Sequence, residues 1–257
     1  MDTKSIINKS IGSLFIIVSF LFSSCSFEDN YEGPNANFHG ALIDVNSNNP
    51  ISSEQPNGFQ IQYRELSWGP DAASQKFEGK PDGTFNFDYV FGYTDKKYDG
   101  SNFGVATYEV QPINGAFVMV GQDKDTIEVL PNQRVEVNFK VNPYIVLKLI
   151  SSTLSDTTLT VTYSMSRPVF QTSKISASAV VISSRTKFLS ASLNAGGWED
   201  KYTARKQAPN LITYADNTVI TETIKLNHGK TYWVRLAAKS SKTTFWNYTE
   251  TTELVVP

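Results

Sequence analysis

Cys25 is the only cysteine of this 257-residue chain, and His39 and His228 are its only histidines. A His/Cys metal site therefore cannot be assembled within the chain, and an intramolecular disulfide is excluded. No Gly-x-Ser-x-Gly elbow, His-Glu-x-x-His pair or phosphate-cradling glycine loop occurs. Carboxylate pairs of the glycosidase type leave no local trace in a sequence, and Glu199 and Asp200, adjacent in a polar stretch, read as solvated charges. The chain thus reads as non-catalytic, with no cofactor and no metal. What it does carry is a supply of flat rings beside polar groups: Trp68 before Gly69-Pro70-Asp71, Trp198 before Glu199-Asp200, and Trp246 before Asn247. Sugars present apolar C–H faces that stack on such rings while neighbouring polar groups take the hydroxyls, so these three tryptophans are the candidate glycan-binding residues.

Positioning begins at the N-terminus. Lys4 and Lys9 precede an apolar stretch from Ile11 to Phe22 that is too short to span a bilayer stably, the pattern of a removed export signal. Phe22-Ser23-Ser24-Cys25 resembles a bacterial lipobox, which implies that the Cys25 thiol is acylated and becomes the new N-terminus. Glu28 and Asp29, just beyond it, resemble the acidic export tag of Bacteroidota lipoproteins displayed on the outer face of the outer membrane. The expected segments are a signal peptide over 1–24 and an anchor linker over 25–34, with lipid as the only membrane attachment.

The signal segment carries Asp2, Lys4 and Lys9, so its removal takes a net +1 from the formal charge of −2 and leaves −3. A weakly acidic chain without a basic stripe is a poor nucleic-acid binder, because that affinity rests on clustered Lys and Arg. Residues 25–257 suit about two domains of ordinary size. Short alternating apolar segments separated by Gly, Pro, Asn and Asp predict an all-β protein built as two tandem sandwiches, over 35–142 and 143–257.

In the first, Asp82-Gly83 supplies a turn and Phe85, Phe87 and Tyr89 are expected on one strand face. Arg134 to Val141 alternates, with Val135, Val137, Phe139 and Val141 on one side. The order Gly40-x-x-x-Asp44, Pro50-Ile51, Asp82-Gly83-x-Phe85-x-Phe87 and Tyr108-x-Val110 resembles the carboxypeptidase regulatory-like, or transthyretin-like, β-sandwich. In the second, Leu159, Val161 and Tyr163 share a face, and further strands are expected at Tyr144 to Ile150, Ile175 to Ser184, Val219 to Leu226, Thr231 to Lys239 and Thr249 to Val256. Leu226, six residues before Tyr232 at the opening of an alternating strand, resembles the tyrosine corner of fibronectin type III domains, with His228 at the usual proline position. If Tyr232, Val234 and Leu236 point inward, Trp233 and Arg235 point outward and pack against the first domain or form a binding platform. Trp198 and Trp246, in connections, are expected to be exposed.

Lipobox, acidic tag, transthyretin-like domain and Ig/fibronectin-like domain together resemble a two-domain surface lipoprotein family of the Bacteroidota associated with Sus-type glycan-uptake systems. The resemblance implies a non-catalytic outer-membrane lipoprotein that binds glycan or assists an uptake complex, with that complex's proteins as partners. The alternatives are a structural or adhesive stalk component without a small ligand and, more distantly, a glycoside hydrolase.

Overall fold

The structure, a computed structural model, describes residues 33–54, 58–69, 71–92, 105–169, 172–187, 189–191, 204–212 and 215–257. Pro34–Pro257 forms one compact unit made of strands. Among the described residues nine strands build a first lobe: β1 (Ala36–Asp44), β2 (Gln60–Glu65), β3 (Gln75–Glu78), β4 (Thr84–Val90), β5 (Ala106–Ile113), β6 (Phe117–Met119), β7 (Asp125–Val129), β8 (Arg134–Glu136) and β9 (Phe139–Pro143). They pair as two sheets, β4-β1-β9-β6 with β8 also on β1, and β3-β2-β5-β7. The eight remaining strands form a second lobe: β10 (Val146–Ser155), β11 (Thr158–Ser166), β12 (Ile175–Ser183), β13 (Ala204–Ile212), β14 (Val219–Lys225), β15 (Lys230–Ser240), β16 (Asn247–Tyr248) and β17 (Thr252–Val256). Their sheets run β10-β11-β14 and β13-β12-β15-β16, with β17 also on β15. The all-β expectation holds.

Alternation puts the expected side chains inside. Phe38, Phe85, Tyr108, Val137, Phe139 and Val141 fill the first core, and Leu159, Val161, Tyr163, Tyr232 and Leu236 the second. The run from Arg134 to Val141 keeps its alternation but divides into two parallel segments along β1, Asn37–His39 with Arg134–Glu136 and Leu42–Asp44 with Phe139–Val141. At the break the Asn138 side chain accepts the Ala41 N–H at 2.9 Å, replacing a ladder bond. Gly40 is required there because a Cβ would lie 1.7 Å from the Val137 carbonyl oxygen.

One inward expectation fails. Tyr89 is 73% exposed while Phe85 is buried and Phe87 packs on the core. The register slips between the pairs Ala36–Val90 and Phe38–Phe87, so Val90 takes the inward place and Tyr89 is turned out. In the second lobe the Tyr232 hydroxyl accepts the Asn227 backbone N–H at 3.1 Å, which ties the strand to the preceding turn as a tyrosine corner does. The exposed His228 lies 3.1 Å through Nδ1 from the Pro257 carbonyl oxygen.

Candidate functional site

β15 is buried on both faces. Tyr232, Val234, Leu236 and Ala238 face the second core, and the opposite face carries Trp233, Arg235 and Ala237. On that opposite face Ala177, Ala179 and Ala237 are small and leave room, which Trp246 and Tyr248 fill. The connection from β15 to β16 folds back over the alanines, and Trp246 ends 2% exposed with the Lys239 ammonium 5.3 Å from its ring centre. This corrects the expectation of an exposed Trp246: the loop position was read rightly, but the alanine shelf beneath it turns the indole into core, so it offers no face to a ligand.

The two lobes are joined by a buried polar cluster on the same side. The Arg235 guanidinium lies 3.5 Å from the centre of the Tyr248 ring and donates through Nη2 to the Ser53 carbonyl at 2.9 Å. Tyr248 donates its hydroxyl to Glu54 Oε1 at 2.6 Å and accepts the Ala191 N–H at 2.9 Å, while the Ser190 hydroxyl donates to the same carboxyl oxygen at 2.5 Å. Burial, and then the charge of Glu54, push the Tyr248 phenol well above its ordinary range, with Arg235 opposing. It therefore remains a neutral donor at physiological pH. Asn247 completes the junction, donating to the Ala116 carbonyl at 2.7 Å and accepting the Ile145 N–H at 3.0 Å. Arg235 is thus the outward residue that packs against the first lobe, as its strand parity implied.

Above this cluster the lobes leave an open groove made of two adjoining hollows that share Asp82, Arg235 and Thr251. One, of about 500 Å³, is bordered by Pro50, Ser52, Thr249 and Glu250. The other, of about 610 Å³, is bordered by Lys80, Lys187, Trp233 and Glu253. Trp233 and Glu253 are directly opposed in the β15–β17 ladder, so an indole and a carboxylate stand side by side on the groove wall. A half-buried ring, carboxylates, threonine hydroxyls and cations of balanced charge can grip a neutral, hydroxyl-rich ligand by stacking and hydrogen bonding. Among the described residues no group of His, Cys, Asp and Glu is placed to hold a metal ion.

Of the residues singled out in the sequence, Cys25, Glu28, Asp29, Trp198, Glu199 and Asp200 lie outside the described residues. Trp68 closes the short 3₁₀ turn Leu66–Trp68, and its side chain is outside what the structure describes. Of the three candidate tryptophans the described side chains include only Trp246, which lies in the core. The structure supplies Trp233 instead, whose outward parity was legible, together with Asp82, Arg235 and Glu253. The role of Glu54 had no signal in the sequence, since it sits in a polar connection without periodicity.

The chain matches no protein-family model, and no curated protein matches its sequence. Solved structures share the fold. A protein from Bacteroides uniformis ATCC 8492 described as a "putative carbohydrate binding protein" is 20% identical, with a TM-score of 0.66 over 87% of this chain and 100% of that one. A DUF3823 family protein from the same organism is 17% identical, with a TM-score of 0.68 over 87% of this chain and all of its own. A DUF3823 family protein from Parabacteroides merdae ATCC 43184 is 14% identical, with a TM-score of 0.63 over the same shares. At these identities the similarity establishes a common all-β architecture.

Proposed function

We propose that this chain is a non-catalytic lipoprotein, anchored through Cys25 and displayed on the outer membrane surface, that binds a neutral glycan in the groove between its lobes. The observation that carries the reading is the Trp233–Glu253 pair on the wall of that groove, in a hollow also lined by Asp82 and the buried Arg235. The mixture of charges disfavours a strongly anionic or cationic ligand and suits hydroxyl groups, which both donate and accept. The fold neighbour described as carbohydrate binding supports the same ligand class. Surface display is supported by the lipobox-like Phe22–Cys25 and the acidic Glu28 and Asp29, and an uptake complex as partner by the resemblance to surface lipoproteins associated with Sus-type systems.

Two experiments test the parts separately. A glycan array probed with residues 26–257 tests binding, with neutral oligosaccharides as the expected class. Cys25→Ala tests anchoring: the variant is expected to leave the membrane fraction while melting as the wild type does. Quantitative retention of that variant in membranes refutes the anchor.

A further inference from the structure

A second hollow, on the first lobe and away from the inter-lobe groove, carries the wrong residues for a core. β3 and β4 are the edge strands of the two sheets, and Phe77 and Phe87 close the seam between them as a stacked pair, 4.5 Å apart and 12° from parallel. Beyond that stack the inner face continues with Tyr63 opposed to Gln75 and Tyr108 opposed to Glu65. The parity of the inner face thus runs on, at this open end of the lobe, into two polar side chains, the half-buried Glu65 and the exposed Gln75.

The result is a cavity of about 250 Å³ walled by Tyr63, Glu65, Gln75, Tyr89, Phe91 and Tyr108. Two of its rings are held in place. Tyr63 donates its hydroxyl to Gln75 Oε1 at 2.6 Å, and Tyr108 donates to the Phe91 carbonyl at 2.9 Å. Tyr89, turned out by the bulge in β4, contributes a ring that is 73% exposed and is not needed by the core. Small residues, Ala72 and Ala73, stand at the rim and leave the mouth open.

We infer that this hollow is a second carbohydrate site, which takes a single neutral sugar ring with its C–H face on Tyr89 and its hydroxyls on Glu65 and Gln75. The volume lies below that of sites for drug-sized ligands and suits one ring or a chain end. Aromatic walls fixed at Tyr63 and Tyr108, with a few convergent polar groups, are the composition of a largely preformed site, in which Tyr89 is the ring that has to be ordered on binding. The inference extends the glycan reading but stands on this hollow alone, and the test reads the two sites independently.

The test is a titration of isotope-labelled protein with maltohexaose, cellohexaose, xylohexaose and mannohexaose, followed by NMR. The Pro34–Pro257 unit, which contains the cores of both lobes and the apolar cluster around Trp246, serves as the sample. Ala72 and Ala73 report on the hollow; Thr249 and Thr251 report on the groove. At least one oligosaccharide is expected to shift the Ala72 and Ala73 signals. Tyr89→Ala should weaken that response about tenfold, and Tyr89→Phe should keep it within about twofold, since stacking survives loss of the hydroxyl. Trp233→Ala should leave it unchanged. Absence of shifts at Ala72 and Ala73 with all four probes overturns the inference, as does an unchanged response in Tyr89→Ala. Shifts confined to Thr249 and Thr251 overturn it while leaving the groove intact, and shifts confined to the alanines do the reverse.

Discussion

Replacing Tyr248 with Phe removes one oxygen atom from the inter-lobe junction and leaves the ring under Arg235. Two interactions go with that oxygen: the 2.6 Å bond donated to Glu54 and the 2.9 Å bond accepted from the Ala191 N–H. A hydrogen bond to a charged group contributes about 1.5 to 3 kcal/mol net, and a buried N–H left without an acceptor costs about 1 to 3 kcal/mol. The Ser190 hydroxyl still reaches Glu54 at 2.5 Å, so the carboxyl retains a donor and the combined loss belongs near the lower end of the roughly 2.5 to 6 kcal/mol to which the two ranges sum. We expect about 3 kcal/mol, which for a unit of this size is a fall of about 6 to 12 °C in Tm. Calorimetry and urea unfolding of the Pro34–Pro257 segment would measure it. Glu54→Gln in the same background should show coupling of at least about 1 kcal/mol, because the two groups touch. A Tm within about 1 °C of the wild type, or additive single and double variants, would refute the view that Glu54 and Tyr248 lock the lobes together.

Tyr232→Phe should destabilise by about 1 kcal/mol through loss of the bond to the Asn227 N–H, seen as earlier unfolding of the second lobe in hydrogen exchange; identical protection would count against the corner. Hydrogen bonding from Lys124, supported by the charges of Lys124 and Arg64, holds the Glu109 carboxyl below its usual range. Its folded-state pKa is lowered, so its stabilisation is present above the ordinary glutamate range and is lost as pH falls through the folded value. Glu109→Gln should therefore cost under about 1 kcal/mol at neutral pH, with the difference vanishing in acid, as expected where the half-buried Glu109 meets a Lys124 that is mostly in solvent. A difference that grows on acidification would contradict the sign.

Strand positions were legible wherever one face is apolar and the other wet, as in Arg134 to Val141 and in Leu159, Val161 and Tyr163, because the period of two survives even a break in pairing. The corner at Leu226 to Tyr232 was legible because its spacing is fixed by a local turn. The patterning predicts none of β2, β3, β6, β13 and β16: β3, β6 and β16 are short, and β13 lies within a long polar connection. Tyr89 and Trp246 were misplaced for a shared reason. A register slip and a shelf of alanines are properties of the neighbouring strand, and neither is written in the residues around the side chain they redirect. The groove escaped notice because Asp82, Arg235 and Glu253 come from distant parts of the chain, although the parity of Trp233 and Arg235 already marked one wall.

The central claim is that the inter-lobe groove binds neutral glycan against Trp233, and titration calorimetry of wild type and Trp233→Ala against an array-identified oligosaccharide tests it most directly. The indole lies at the groove wall and is only partly buried against the apolar cluster of the alanine shelf, Trp246 and Tyr248, so the variant should remain folded. Loss of its face should weaken binding by about 1 to 3 kcal/mol, roughly 5- to 150-fold in Kd. Equal affinity of the two proteins, or release of shortened oligosaccharide during the titration, would contradict a non-catalytic site built on Trp233.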